Sequence, residues 1–515
     1  RVVSCLGRSY WIFNRINLEY ARKYKLKKIF NFSNTYAKLP KNFYEEIKPI
    51  PVKNPKLLNL NKELTKFLNI DSQLITEDNG KLFFSGNLIP EGAQPLAMAY
   101  AGHQFGNFVP KLGDGRAILI GELIATDGKR YDLQLKGSGK TSFSRQGDGR
   151  SPLGPVIREY ILSEALHYLG IKTTRSLAIV SSGEKVLRET QTDGGILTRI
   201  ASSHIRIGTF EFFYYNNDFE SLKKLADYSI NRHYPDSQFD NPYKFLLLKV
   251  INSQAELIAK WMSVGFIHGV MNTDNTSISG ETIDYGPCAF MDHYHPNRVF
   301  SYIDNFGRYS YMNQGKIMLW NLSKFAECMI PLLDNDFEVS KNIASACLKK
   351  FPKIFEEFWF NRIRSKFGFH KKKRGDYEII YNFFEILRSE NLDFTNSFRN
   401  LSKIIKNDEK KIPYTNLKDA KKFEKWINNW INRIEYEKQE KKQIANQMDL
   451  VNPIYIPRNH LVEDAIDSAV KSNDFKKMKM FLRVIKEPFS EKKKYSIFSS
   501  PPEPNEIVKN TFCGT

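Results

Sequence analysis

The stretch Phe266–Asp292, FIHGVMNTDNTSISGETIDYGPCAFMD, gathers the side chains best suited to chemistry. His268, Asp274 and Asn275 fall close together, and Asp284 follows nine residues after Asn275. Carboxylate and carboxamide oxygens are ligands for a hard divalent cation, and a carboxylate beside them can take a proton. Metal-assisted chemistry on a phosphorylated substrate is what such a set can do, so the elements that bind and position that substrate must lie upstream.

Two motifs sharpen this. His268-Gly269-Val270-Met271-Asn272-Thr273-Asp274-Asn275 resembles the protein-kinase catalytic loop H-R-D-x-x-x-x-N, and Asp284-Tyr285-Gly286 resembles the Asp-Phe-Gly that holds Mg²⁺. Alignment on His268 puts Asn275 at the metal-binding Asn and Val270 where the catalytic Asp stands. The metal ligands are kept and the usual base is missing, which implies nucleotide binding with altered chemistry.

The elements that must position these residues begin at Pro95. From there to about Arg206 the sequence is β-rich and punctuated by glycine. Ala117-Ile118-Leu119-Ile120 reads as a strand, Asp127-Gly128 as a hairpin turn, and Tyr131–Leu135 as the return strand ending in Lys136. Gly113-Asp114-Gly115-Arg116 opens the hairpin, where bare backbone can approach a phosphate. Gly137-Ser138-Gly139-Lys140-Thr141 imitates the end of a Walker A loop, but Gln134 stands where that motif needs glycine and no helix follows directly. A helix starts near Ser151-Pro152 and runs to Leu169, carrying Glu159 and Glu164. Either could pair with Lys136, or simply be solvated. Strands at Ser176–Val180 and Gly195–Ile200 follow, and Arg199 and Arg206 near their end are surface arginines or phosphate ligands.

The second half is helical. Phe245–Val264 has the length of the helix that leads into a kinase catalytic loop, and Gly265 closes it. Helices are expected near Lys316–Ile330, Val339–Lys350, Tyr377–Arg388, Leu417–Glu435, Glu437–Met448 and Val462–Lys471, then an extended Pro-rich tail from Ser499. His293 and His295 would share one face of a strand, but no further ligands at zinc-site spacing accompany them.

Composition sets the bounds. The chain has 515 residues, 41% of them apolar, and its longest apolar runs fall far short of the roughly 20 residues of a membrane span. The net charge of +20 comes largely from lysines interleaved with acids, a solvated surface rather than a nucleic-acid face. Five scattered cysteines fit a reducing compartment. Residues 1–28 carry eight basic residues against Glu19 alone, as in a mitochondrial transit peptide. The expected location is therefore cytoplasmic for a bacterial protein, or mitochondrial if residues 1–30 are a transit peptide.

The order of these features supports a two-lobed nucleotide site, and one family carries the same residues. The sequence resembles the selenoprotein O family of protein adenylyltransferase pseudokinases in Tyr100-Ala101-Gly102-His103-Gln104-Phe105-Gly106, Leu112–Arg116, Leu135-Lys136-Gly137, Gly147-Asp148-Gly149-Arg150, Arg158-Glu159, Ser163-Glu164-Ala165, His268–Asn275, Asp284–Pro287, Asn452-Pro453 and Pro457-Arg458-Asn459. The resemblance implies an α+β, two-lobed protein-kinase-like fold with a β-rich N-lobe, a helical C-lobe and additional C-terminal helices. It implies ATP contacts from Gly113, Gly115, Arg116, Lys136, Asp148, Gly149, Arg199 and Arg206, a Glu159–Lys136 ion pair, Mg²⁺ or Mn²⁺ on Asn275 and Asp284, and Asp274 as base. AMP, or UMP from UTP, would pass to protein Ser, Thr or Tyr hydroxyls. From the residues alone, Asp274 is equally a loop-capping Asp. Cys513 stands where some members carry selenocysteine, which implies redox regulation; a free tail thiol is the alternative. The expected organisation is a basic extension (1–30), a wrapping segment (31–94), an N-lobe (95–206), a C-lobe (207–340), a helical region (341–490) and a tail (491–515). A kinase-like phosphotransferase and an inactive ATP-binding scaffold are the rival functions.

Overall fold

Apolar alternation and glycine turns build an eight-stranded sheet and a separate hairpin. The strands are β1 Tyr44–Glu46, β2 Lys56–Leu60, β3 Leu96–Met98, β4 Gly102–Gln104, β5 Asn107–Val109, β6 Ala117–Ile124, β7 Arg130–Lys136, β8 Ser151–Pro152, β9 Arg175–Leu187 and β10 Gln191–Ala201. Eight of them form one sheet in the order β1-β3-β6-β7-β10-β9-β2, with β8 beside β10, while β4 and β5 make a separate hairpin. In the computed structural model the described residues are 29–71, 74–235, 237, 239–407 and 417–512. The basic segment 1–28 and Cys513 lie outside the described residues.

The chain forms two compact units. The first comprises residues up to Ala99, Gly113–Leu153 and Ser176–Ser202. Its centre is the β6–β7 hairpin, where Ala117 faces Lys136 and Ile124 faces Arg130. Gly128 takes the left-handed conformation (φ 74°) that the turn needs. The core of this unit is not made by the sheet alone. Phe30, Leu64, Leu68, Phe83 and Phe84 from the preceding segment pack with Ile118, Leu133, Leu135, Leu177 and Ile196.

The second unit comprises Tyr100–Leu112, Gly154–Arg175 and the chain from Ser203. The helix Pro242–Ser263 follows from its ends as much as its middle. Asn241 Oδ1 accepts from Lys244 N at 2.9 Å, Pro242 sits at the first turn, and Gly265 (φ 73°) stops the helix. The chain then enters β11, Phe266–Ile267, which pairs antiparallel with β12, Ala289–Phe290. The chemistry-bearing stretch is thus a loop pinned at both ends. Among the described residues no helix is long and apolar enough to cross a membrane. His293 lies in an isolated bridge to Asp393 rather than in a strand.

The C-terminal helices hold the far side of this loop. Arg458, fully buried, donates from Nη1 to Asp292 at 2.7 Å and from Nη2 to Asp393 Oδ1 at 3.1 Å, and Asn459 donates to the Phe290 carbonyl at 3.2 Å. Removing one partner of a buried ion pair leaves the other charge uncompensated. Arg458→Ala is therefore expected to cost about 3–5 kcal/mol, read as a lower midpoint in chemical denaturation.

Candidate functional site

His268 fixes the entry to the loop. Its Nε2 donates to the Ile283 carbonyl at 2.9 Å and its Nδ1 accepts from Val270 N, so the residue before Asp284 is tied to the loop's start. Burial lowers the imidazole's pKa and keeps it neutral, as that tautomer requires, and the ring stacks on Trp261. From the helix Gln314–Leu333, Gln314 Oε1 accepts from His268 N at 3.1 Å, and Asn321 Nδ2 donates to Met271 O and Thr276 Oγ1 at 3.0 Å each.

Thr273–Asn275 forms a single 3₁₀ turn clamped by the β4–β5 hairpin. His103 N donates to Thr273 Oγ1 at 2.7 Å, and Thr273 Oγ1 donates to Glu211 Oε2 at 2.5 Å. Glu211 Oε1 in turn holds His103 Nδ1 at 2.6 Å. Phe105 N and Tyr309 Oη both donate to Asn272 Oδ1, at 3.1 and 2.7 Å. Asn272 and Thr273 are therefore each held from outside the turn.

Asp274 is 7% exposed and caps no helix end. Its Oδ2 accepts from Gln104 Nε2 at 3.1 Å, whereas its Oδ1 is buried with no hydrogen-bond partner. Burial is the main force pushing this carboxyl up to about 7, against Gln104 and Arg206, which pull it down. A carboxylate with one hydrogen-bonded oxygen and one without a hydrogen-bond partner can accept a proton.

Arg206 is 3% exposed, so the surface reading of this arginine is corrected. Its Nη1 donates to the Asp274 carbonyl and to Asp284 Oδ2, both at 2.7 Å, and its guanidinium lies 4.5 Å from the Tyr100 ring centroid. One cation thus joins Asp274 and Asp284 of the loop. Asp284 has φ 64°, a conformation a non-glycine residue holds only when its surroundings enforce it. Asn275 spends its Nδ2 on the Val270 carbonyl at 3.1 Å, which leaves its carboxamide oxygen as the atom suited to a cation. The Asn275 carboxamide oxygen and the Asp284 carboxylate are hard oxygen donors of the kind that fit Mg²⁺ or Mn²⁺. Among the described residues no group of three or more His, Cys, Asp or Glu makes a protein-only metal cage.

The other expected site residues fall in the first unit. Arg199, 1% exposed, donates to Gln134 Oε1, and Gln134 donates to Asp114, so Arg199 too is not a surface residue. Lys136 ends β7 in register with Leu197. Arg116 O accepts from Gly137 N at 2.7 Å, which ties the glycine turn to the end of the hairpin. A Cβ on Gly113 would stand 2.2 Å from the Phe143 ring, and one on Gly115 2.8 Å from the Phe143 carbonyl. A Cβ on Gly149 would stand 2.1 Å from Gly139. These glycines let the loops 113–116, 139–144 and 147–150 close on each other. Asp148 pairs with Arg188 at 2.9 Å, which lowers its pKa. In the second unit, Glu164 is held by Arg175 through two hydrogen bonds of 2.8 and 2.7 Å. Glu159 is buried on the same helix, Leu153–Tyr168.

His103, Gln104, Glu211 and Thr273 were not assigned roles from sequence. The one signal for the first two was their place inside the run Tyr100–Gly106. Nothing in the sequence pairs them with a loop 170 residues away.

A β-rich unit, a helical unit and a kinase-type loop without the kinase base define a kinase-like nucleotide-transferring enzyme. The chain belongs to the family described as protein adenylyltransferase SelO, whose model matches residues 27–486. It is 50% identical over 94% of its length to a protein nucleotidyltransferase YdiU of Maridesulfovibrio salexigens, 98% of which is covered. Proteins of the same name from Rhizobium etli and Nitrosococcus oceani are 48% and 47% identical, each over 94% of this chain and 97% of the relative. The chain is accordingly a nucleotidyltransferase.

Proposed function

We propose that this chain moves AMP from ATP, or UMP from UTP, onto Ser, Thr or Tyr hydroxyls of proteins and releases pyrophosphate. The observation that carries this reading is the buried Asp274 carboxylate, held by Gln104 while Arg206 holds its backbone carbonyl, in a loop whose Val270 cannot take a proton. The acceptor oxygen bonds to the α-phosphorus, the bond from that phosphorus to the bridging oxygen of pyrophosphate breaks, and the hydroxyl proton passes to Asp274. Arg116, Lys136, Arg199 and Arg206 offset the charge of the phosphates. Gly113, Gly115 and Gly149 present backbone, Asp148 orders its loop, and Glu159 steadies Lys136. A Mg²⁺ or Mn²⁺ ion on Asn275 and Asp284 supplies charge neutralisation at the phosphates. The bacterial relatives favour a cytoplasmic location, with a mitochondrial one tied to residues 1–30 acting as a transit peptide.

Incubation with ATP labelled at the α- or the γ-phosphate tests this. Protein-bound label is expected from α alone and is lost on chelation with EDTA. Label from γ alone would establish a phosphotransferase instead, and tight ATP binding with no label a scaffold.

A further inference from the structure

Away from the loop, the second unit has a cavity of about 630 Å³ between the helices Ile207–Tyr215, Gln314–Leu333 and Phe337–Leu348. Four aromatic rings, Tyr214, Tyr215, Phe219 and Phe337, line part of its wall. Phe219 and Phe337 are 43% and 62% exposed. Its charged lining residues are both acids, Glu327 and Asp334, in a chain whose net charge is +20. Glu327 shares its charge with Lys324 at 3.0 Å and accepts from Tyr215 Oη at 3.3 Å. Burial, and then the charge of Glu327, raises the pKa of that phenol and keeps it a donor. The Asp334 carboxylate accepts from the backbone N of Asp336 and has no cationic partner among the described residues.

Aromatic faces beside carboxylates recognise a guanidinium or ammonium group on an apolar stem. The cavity also adjoins the chemistry. Tyr215 packs on Phe108 at 4.2 Å and His103 at 5.9 Å between ring centroids, and Glu211, one turn earlier in the same helix, holds Thr273. A segment lying in this groove is therefore anchored on the element that clamps the residue next to Asp274.

We propose that the groove docks a basic segment of the protein acceptor, an Arg or Lys side chain entering between the aromatic rings with its charge on Glu327 and Asp334. This rests on the acceptor being a protein, as in the proposed function. It adds a specificity: acceptors carry a basic residue apart from the modified hydroxyl.

The test uses the full chain and fluorescent synthetic peptides without hydroxyl side chains, identical except for Arg, Gln or Glu at the central position, read by anisotropy. The Arg peptide is expected to bind best, and Glu327→Gln with Asp334→Asn to weaken it about tenfold, the combined effect of two exposed charge contacts. Phe337→Ala should weaken it by a similar route while leaving nucleotide affinity unchanged. With a Ser-containing Arg peptide as acceptor, the variants should raise KM at unchanged kcat. Binding that is indifferent to the central residue, or survives in all variants, would overturn the proposal, as would equal competition by free spermidine. A wild-type dimer that Phe337→Ala converts to monomer would give the groove to a second copy of the chain and overturn it too. The two readings separate cleanly. Hydroxyl-free peptides that bind while no α-label is ever transferred keep the groove and sink adenylyl transfer, and α-label transfer with no peptide binding does the reverse.

Discussion

Asp274→Asn lowers AMP transfer by about 10²–10⁴-fold, the range for losing a positioned general base, while ATP still binds. The substitution is isosteric, and an amide oxygen at Oδ2 still accepts from Gln104 Nε2, so the turn Thr273–Asn275 keeps its clamp. What it loses is the ability to take a proton. The backbone carbonyl of Asp274, which holds Arg206, is untouched, and so is the Arg206–Asp284 pair. Nucleotide affinity measured with a fluorescent ATP analogue should therefore move little, while the rate of α-label transfer collapses. Transfer at the wild-type rate would move the base elsewhere and leave Asp274 as a structural carboxylate.

That prediction separates what was legible in the sequence from what was not. The β6–β7 hairpin, the helix reaching Ser263 and the helix Leu153–Tyr168 follow from turn residues, caps and periodicity, all local signals. Asp284 and Asn275 were legible because a motif fixes their spacing along the chain. The support of Asp274 was not, because it is a contact at long range: β4 and β5 are strands of three residues each, too short for a periodicity to register. The helix Ile207–Tyr215, IGTFEFFYY, is equally opaque, since β-branched and aromatic residues have weak helix propensity. Tertiary packing overrides that preference. Phe210 meets Phe325 edge-on at 4.9 Å, and Arg206 N donates to Thr209 Oγ1 at 3.1 Å at the helix start. The two arginines illustrate the same limit. Sequence places Arg199 and Arg206 near the ends of strands, but only burial shows that neither is a surface residue.

Gly102→Ala is expected to lower transfer about as far as losing the base itself, roughly 10²-fold or more, without touching a reactive group. A Cβ on Gly102 would stand 2.6 Å from Asp274 Oδ1 and 2.8 Å from Asp274 Cβ, closer than side-chain carbons come to either atom. The obstacle is a short side chain in a buried turn, not the end of a flexible one, so the strain cannot be shed by a rotamer change. Either Asp274 swings out of position, or β4 lifts away and takes with it the contacts of His103 and Gln104. Retreat of β4 in the other direction is also resisted, because Ala101 N donates to the Gly208 carbonyl at 2.9 Å and a Cβ on Gly208 would stand 2.2 Å from the Ala101 carbonyl. Gly128→Ala supplies the comparison. It sits at φ 74° at the hairpin tip with nothing within 4 Å of an added Cβ, so it should cost about 1 kcal/mol of stability and leave transfer unchanged. Equal activity in the two variants would mean that the hairpin can yield by several tenths of an ångström without moving the base, and that Gly102 is there for packing alone.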